Sequence, residues 1–235
     1  MISIKLITSI GFRCYGPEFL IKYKLRTVSG PFDYVFIDIE TALININDGF
    51  KNYLTNISSS KYEKIHYMAH KYPNKKIIIN NNFVDIKYNN IYKWNRILLF
   101  YHNDITKSIV ASKIKNRISI FKKFTAKYID YHLLFYITRI KEDLDLNDYI
   151  KYIDELRTKY SIETYMVIIV CSSNVNNCYT FRNKVLYIVK KVKDYEYQFK
   201  HYKTDNNLNY DREFTIMSKY FMFDIMDNKS LKLIQ

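Results

Sequence analysis

Apolar and polar positions alternate in short, separable patterns along this chain. Ile2 to Ile10 carries Ile4, Leu6 and Ile10 and predicts a first strand, ended by Gly11. Gly16-Pro17-Glu18 then reads as a helix start. Glycine can cap, proline suits the first helical position, and glutamate favours the positive end of the dipole. Phe19, Leu20 and Tyr23 continue that helix, which is expected to stop near Arg26. Ser29-Gly30-Pro31-Phe32-Asp33 is a turn by its Gly-Pro step. Ile37 to Phe50 predicts a second helix, with Ile39, Leu43 and Phe50 on one face. Ile77 to Ile79 and Phe83 to Ile86 read as a hairpin around Asn80-Asn81-Asn82. Ile97 to Tyr101 is a strand, and His102-Asn103-Asp104 follows its end.

The second half is more regular. Ile105 to Tyr128 is a long basic helix, His132 to Thr138 a strand, and Leu146 to Tyr160 an amphipathic helix with Tyr149, Ile153 and Leu156 inward. Tyr165 to Cys171 is an unbroken apolar strand. Asn183 to Val192 and Tyr195 to Tyr202 read as two more strands joined at Lys193-Asp194. Asp211 to Met226 is a helix, and a short tail starts at Asn228. Strands alternating with helices predict an α/β fold. The expected architecture is a mostly parallel central sheet flanked by helices on both faces, with antiparallel edge strands. No repeat or linker divides the chain, so residues 1–235 are expected to form a single domain. No apolar run approaches the roughly 18–20 residues of a membrane span. Met1 to Ile10 lacks the apolar stretch of a secretory signal. The expectation is a protein of the cytoplasm.

Charge complicates this picture. The net charge is +14, and the predicted isoelectric point is near 9.4. One reading is a nucleic-acid or anionic-membrane partner. The other is codon bias: Lys, Asn, Ile, Tyr and Phe abound, while only 4 glycines and 3 prolines remain. The lysines are spread along the chain among acidic residues and arginine is sparse, which favours the second reading. Nucleic acid is therefore the lesser alternative, carried by the helix Lys107 to Lys127 and by Tyr195 to Lys203. In the latter, aromatic residues alternate with lysine, as base stacking or a half-buried strand would require. The bias makes its exceptions informative. Gly11, Gly16, Gly30, Pro17 and Pro31 all lie before residue 32, where special backbone geometry is the expected cause.

Candidate chemistry gathers in that segment. Cys14 falls between a strand and a helix N-terminus, where free N–H groups and the helix dipole stabilise a thiolate. Arg13 beside it adds positive charge, and the same N–H groups suit an oxyanion. A cysteine nucleophile needs a base, normally histidine. His102 is the candidate, because sites in α/β sheets gather at strand C-termini. Asp104 or Asp33 would orient the imidazole, although Asp104 also reads as the N-cap of the next helix and Asp33 as a holder of its turn. No metal or other cofactor is expected. Cys171 and Cys178 are too far apart for a zinc knuckle, and His66 and His70 lack the glutamate of a zincin motif. No glycine-rich phosphate loop is present. Three cysteines, an odd number, do not form a disulfide framework.

The run Ser9-Ile10-Gly11-Phe12-Arg13-Cys14, then Leu20, then Ser29-Gly30-Pro31-Phe32-Asp33-Tyr34, resembles a domain family of bacteria and large DNA viruses described as papain-like cysteine peptidases. Its pattern is Ser-Leu-Gly-x-x-Cys, a helix leucine, and Ser-x-Pro-Phe-Asp-Trp. Ile10 and Tyr34 replace the leucine and tryptophan here. The family's later His-Asp and arginine-rich helix resemble His102-Asn103-Asp104 and Lys115-Asn116-Arg117-Ile118, with an asparagine inserted and one arginine kept. The resemblance is specific over about the first 34 residues and loose through the middle. It implies a Cys14–His102 site acting on a protein or peptide substrate, with Gly11, Arg13, Ser29 and Arg117 as expected substrate-binding residues. The AT-rich composition suits a viral member, whose compartment would be the host cytoplasm. The competing expectation is a non-catalytic viral protein that binds a host protein.

Overall fold

A computed structural model describes residues 1–11, 15–26, 28–61, 76–83, 98–100, 103–139, 145–172, 175–192 and 210–226. Its elements in chain order are β1 (Ile2–Ile4), β2 (Leu6–Ser9), α1 (Tyr15–Lys22), β3 (Phe36–Ile37), α2 (Ile39–Asn47), β4 (Ile57–Lys61), β5 (Lys76–Asn80), β6 (Leu98–Phe100), α3 (Ser108–Lys127), a 3₁₀ turn (Ile129–Tyr131), β7 (His132–Arg139), α4 (Leu146–Lys159), β8 (Tyr165–Ser172), β9 (Cys178–Arg182), β10 (Val185–Lys191), α5 (Asp211–Tyr220) and β11 (Phe221–Phe223).

The expected α/β architecture is present. The central sheet has the order β2-β7-β8-β10-β9. Its first four strands are parallel, and β9 closes the edge antiparallel to β10. Alternate side chains of β7, β8 and β10 feed two separate cores, as a strand's period of two requires. Leu134, Tyr136, Met166, Ile168, Val170, Val185 and Tyr187 face the core shared with α2, α3 and α4. Leu133, Phe135, Ile137, Val167, Ile169, Leu186 and Ile188 face the core shared with α1 and α5. Coverage on both faces explains why β8 reads as unbroken apolar sequence. A second, antiparallel sheet of order β3-β6-β5-β4 packs into the first of these cores.

Several local expectations change. The first strand divides at Lys5: Ile2–Ile4 pairs with β11, whereas Leu6–Ser9 pairs with β7. Helix α1 opens at Tyr15, so Gly16 and Pro17 lie inside its first turn instead of at the cap and first position. Helix α2 starts later than expected because Phe36–Ile37 is a strand, and Asp38 caps it by accepting the Thr41 N–H at 2.9 Å. Strand β5 pairs with β4 on one edge and with β6 on the other. Serines 58 to 60 hide β4 from any apolar count. The Asn80 amide instead donates to the carbonyls of Asn52 and Tyr53, at 2.8 and 2.9 Å. Residues 84–86 and the expected strand Tyr195 to Tyr202 lie outside the described residues. The late hairpin that is described joins β9 to β10 through Asn183-Lys184, both with positive φ. The last helix stops at Tyr220, and the chain turns back into the sheet pair as β11.

Candidate functional site

The site begins where β2 ends at the edge of the central sheet. The Ile10 N–H still donates to the Phe135 carbonyl at 2.9 Å, and the chain then breaks away at Gly11. Gly11 has φ +140°, and a Cβ there would overlap Ile37 Cγ2 and stand 3.0 Å from the Ile37 carbonyl. Only glycine meets both conditions. Helix α1 begins at Tyr15.

A second turn is folded against the same strand end. A Cβ on Gly30 would lie 2.9 Å from Thr8 Cγ2, which fixes how closely this turn approaches β2. Inside the turn, Asp33 is buried. The Arg26 guanidinium donates to Asp33 Oδ2 at 2.8 Å and to Ser29 Oγ at 2.7 Å, and the Gly30 N–H donates to the same Asp33 oxygen at 2.9 Å. Burial pushes the Asp33 carboxyl above its ordinary value, while Arg26, the Gly30 N–H and then Arg117 pull the other way. Below, the fully buried Tyr53 donates its hydroxyl to the Pro31 carbonyl at 2.7 Å. Burial and then the Asp33 charge push its phenol well above the usual range, against the pull of Arg117. Arg117 acts from α3, whose Phe121 also packs edge-on against Phe32.

A further polar group lies under Thr8. Its hydroxyl pairs with His132 Nε2 at 2.9 Å, and His132 Nδ1 is 3.4 Å from the Thr125 hydroxyl. Burial lowers this imidazole to about 3, so it is neutral at physiological pH. His132 therefore has the character of a buried polar tie between β2, β7 and α3.

The expected site residues separate into groups. Ser29, Asp33 and Arg117 are brought together around the Gly30-Pro31 turn, and Gly11 lies at the adjoining strand end. Asp104 is exposed instead. Its Oδ1 accepts from the Thr106 hydroxyl and from the Thr106 N–H at 3.3 Å. Helix α3 starts only at Ser108, so Asp104 holds the preceding turn and is not the helix N-cap. Cys14, Arg13 and His102 lie outside the described residues. Their neighbours in sequence share one core: Ile10, Phe100 and Ile105 belong to a single cluster, together with Phe32 of the turn. Arg26, Tyr53 and His132 carry the polar network but had no assigned role in the sequence reading. The only sequence signal was for Arg26, a lone arginine just before a Gly-Pro turn that ends in aspartate. Among the described residues no group of three or more His, Cys, Asp or Glu side chains is placed to hold a metal. Cys171 is buried, with its sulfur 3.9 Å from the Tyr210 hydroxyl, and Cys178 is half-buried. Among the described residues no helix is long and apolar enough to cross a membrane.

Fold and turn define an α/β protein in which a buried Arg–Asp turn packs against the end of β2. The family model "Putative papain-like cysteine peptidase (DUF1796)" matches residues 5–174, well over half of the sequence, and the chain belongs to that family. The match runs from β2 through β8, and β9, β10 and α5 follow it. No curated protein and no solved structure matches the chain.

Proposed function

We propose that the chain is a cysteine-dependent hydrolase or acyl transferase acting on a protein or peptide, with Cys14 as nucleophile and His102 as base. His102 takes the thiol proton as the sulfur attacks an amide or ester carbonyl. The resulting tetrahedral oxyanion is stabilised by N–H groups at the start of α1. The carbon–nitrogen or carbon–oxygen bond then breaks, and the imidazolium gives its proton to the leaving group. Water, or a second nucleophile, attacks the thioester and frees the thiol. Gly11, Arg13, Ser29 and Arg117 line the substrate side of this scheme.

The observation that carries the reading is the family match laid over the packed turn. Strand β3 pairs with β6 antiparallel, with Phe36 opposite Leu99. In sequence, Asp33 precedes Phe36 by three residues and His102 follows Leu99 by three. Asp33 is the better orienting partner of the two candidates, because it is buried and held by Arg26, whereas Asp104 is exposed and bonded within its own turn. The test is a peptide vinyl-sulfone probe, with the half-buried Cys178 as a reference thiol in the same molecule. A single adduct at Cys14, lost in His102→Ala, is expected. Equal labelling of Cys14 and Cys178, unchanged in His102→Ala, would overturn the proposal.

One observation favours a second reading. Helices α1, α2, α4 and α5 all carry acidic residues, whereas α3 has none in 20 residues and exposes Lys113, Lys115, Lys122, Lys123 and Lys127. Codon bias enriches lysine everywhere but does not sort acids away from one helix. Sequence-independent binding of a nucleic-acid duplex would follow, since that face carries no exposed aromatic residue to stack on single-stranded bases. Five neutralised phosphates give a salt slope of about −4.5 in log–log form. A slope no steeper than about −1 would remove this reading.

A further inference from the structure

Strand β9 is the antiparallel edge of the central sheet, and its residues Tyr179 and Phe181 both reach Tyr220, the last residue of α5. The two differ in what burial asks of them. Phe181 packs against the core shared with α1 and α5. Tyr179 belongs to none of the apolar clusters among the described residues and is 42% exposed. Its ring is therefore not needed to close the core.

The rings around it form a corner. Tyr220 lies nearly parallel on Phe181, with centroids 5.0 Å apart and 27° between the planes, so its orientation is braced from below. Tyr179 stands against Tyr220 at 6.4 Å and 75°, with its own ring open to water. Lys219 Nζ lies 5.7 Å from the Tyr179 centroid. Lys184 Nζ lies 5.6 Å from that of Tyr165, which meets the same group of rings through Phe221. Both lysines are exposed, and neither forms an ion pair among the described residues. No acidic residue occurs from Cys178 to Lys191 or from Phe214 to Phe223. Glu213, buried on the same helix, is already shared by Lys190 and Arg212, at 3.0 Å each. This edge thus keeps a surplus of positive charge beside open aromatic rings.

A ligand that complements it alternates flat apolar groups with anions. Nucleic-acid bases supply the first and phosphates the second. In a duplex the base faces are covered by their neighbours, so the strand that offers them is single. A lipid surface fits less well. Membrane-surface elements sink apolar side chains about 5–10 Å below the headgroups, whereas Phe181 and Tyr220 are half-buried in the fold. We propose that the Tyr179–Tyr220 corner binds single-stranded nucleic acid. One base stacks on Tyr179, Lys219 holds the adjacent phosphate, and Lys184 adds charge along the same edge. The site is distinct from the lysine face of α3, and it does not depend on the cysteine chemistry.

The test titrates the full chain, at one salt concentration, with a short end-labelled oligothymidylate and with an abasic strand of the same length, read by fluorescence anisotropy. Lysine faces elsewhere bind both strands through phosphate alone and cancel in the comparison. The base-bearing strand is expected to bind about tenfold more tightly, the size of one stacked base. Tyr179→Ala removes that preference and Tyr179→Phe keeps it. Lys219→Ala weakens both strands and lowers the log–log salt slope by about 0.7, one phosphate. Thermal melting checks that each variant folds. An oligothymidylate no tighter than the abasic strand overturns the proposal, as does a preference that survives Tyr179→Ala. Tyr179-dependent sedimentation with phosphatidylserine vesicles, without any preference between the two strands, overturns it in favour of a lipid surface.

Discussion

The turn at residues 30–33 and the middle of the central sheet are both buried, yet they are made of opposite materials. Strands β7, β8 and β10 bury Ile, Val, Leu, Met and Phe on two faces, and their stability is the ordinary product of apolar area removed from water. The turn buries Asp33, most of Arg26, the Tyr53 hydroxyl and the Gly30 N–H, with His132 buried under the adjoining Thr8. A buried ion pair is weak evidence for stability, because desolvation offsets most of its attraction. What such a network supplies is a single geometry. The sheet makes the protein stable, and the turn fixes how the chain passes the end of β2.

Four changes separate the two materials. The largest effect is expected from Asp33→Ala, which leaves the largely buried Arg26 guanidinium without its carboxylate and costs about 4 kcal/mol in urea unfolding. The paired replacement Arg26→Met with Asp33→Leu recovers most of that stability but not Cys14 labelling. Recovery of both would mean that the pair serves packing alone. Next is Ile168→Ala in the fully buried centre of β8, at about 3 kcal/mol, with the relative reactivity of Cys14 preserved. A loss of reactivity as large as that of Asp33→Ala would erase the distinction. Third is a pH effect. His132 falls from 6.5 in the unfolded chain to about 3 in the folded one, so the unfolded state binds the extra proton between these values. Its contribution is intact above pH 6.5 and falls by about 1.4 kcal/mol for each unit below that, or about 2 kcal/mol at pH 5. Denaturant midpoints at pH 7 and 5 should show this loss, and it should shrink in His132→Gln. The smallest is Tyr53→Phe, which leaves the Pro31 carbonyl without its donor and costs about 1 kcal/mol.

The same contrast explains what could be read from the sequence. The sheet was legible because strands buried on both faces are continuous apolar runs, as in Tyr165–Ser172, and the helices between them keep a helical period. Strand β4 escaped because Ser58, Ser59 and Ser60 carry no apolar signal, and its pairing with β5 depends on a partner distant in sequence. The site was legible at its glycines. A chain with few glycines kept Gly11 where φ is positive and Gly30 where the turn meets Thr8. The clamp on Asp33 was not legible, since Arg26, Arg117 and Tyr53 come from three separate segments and meet only in the fold. Asp104 and Asp33 looked equivalent as neighbours of a catalytic histidine. Burial now distinguishes them, and nothing in the composition could have.

The central claim is that Cys14 is activated by His102. It is tested most directly by the pH profile of Cys14 alkylation in the wild type and in His102→Ala. The account predicts a wild-type midpoint well below the ~8.5 of a free thiol, rising toward that value when the imidazole is removed. A wild-type midpoint already at ~8.5, identical in His102→Ala, would contradict it.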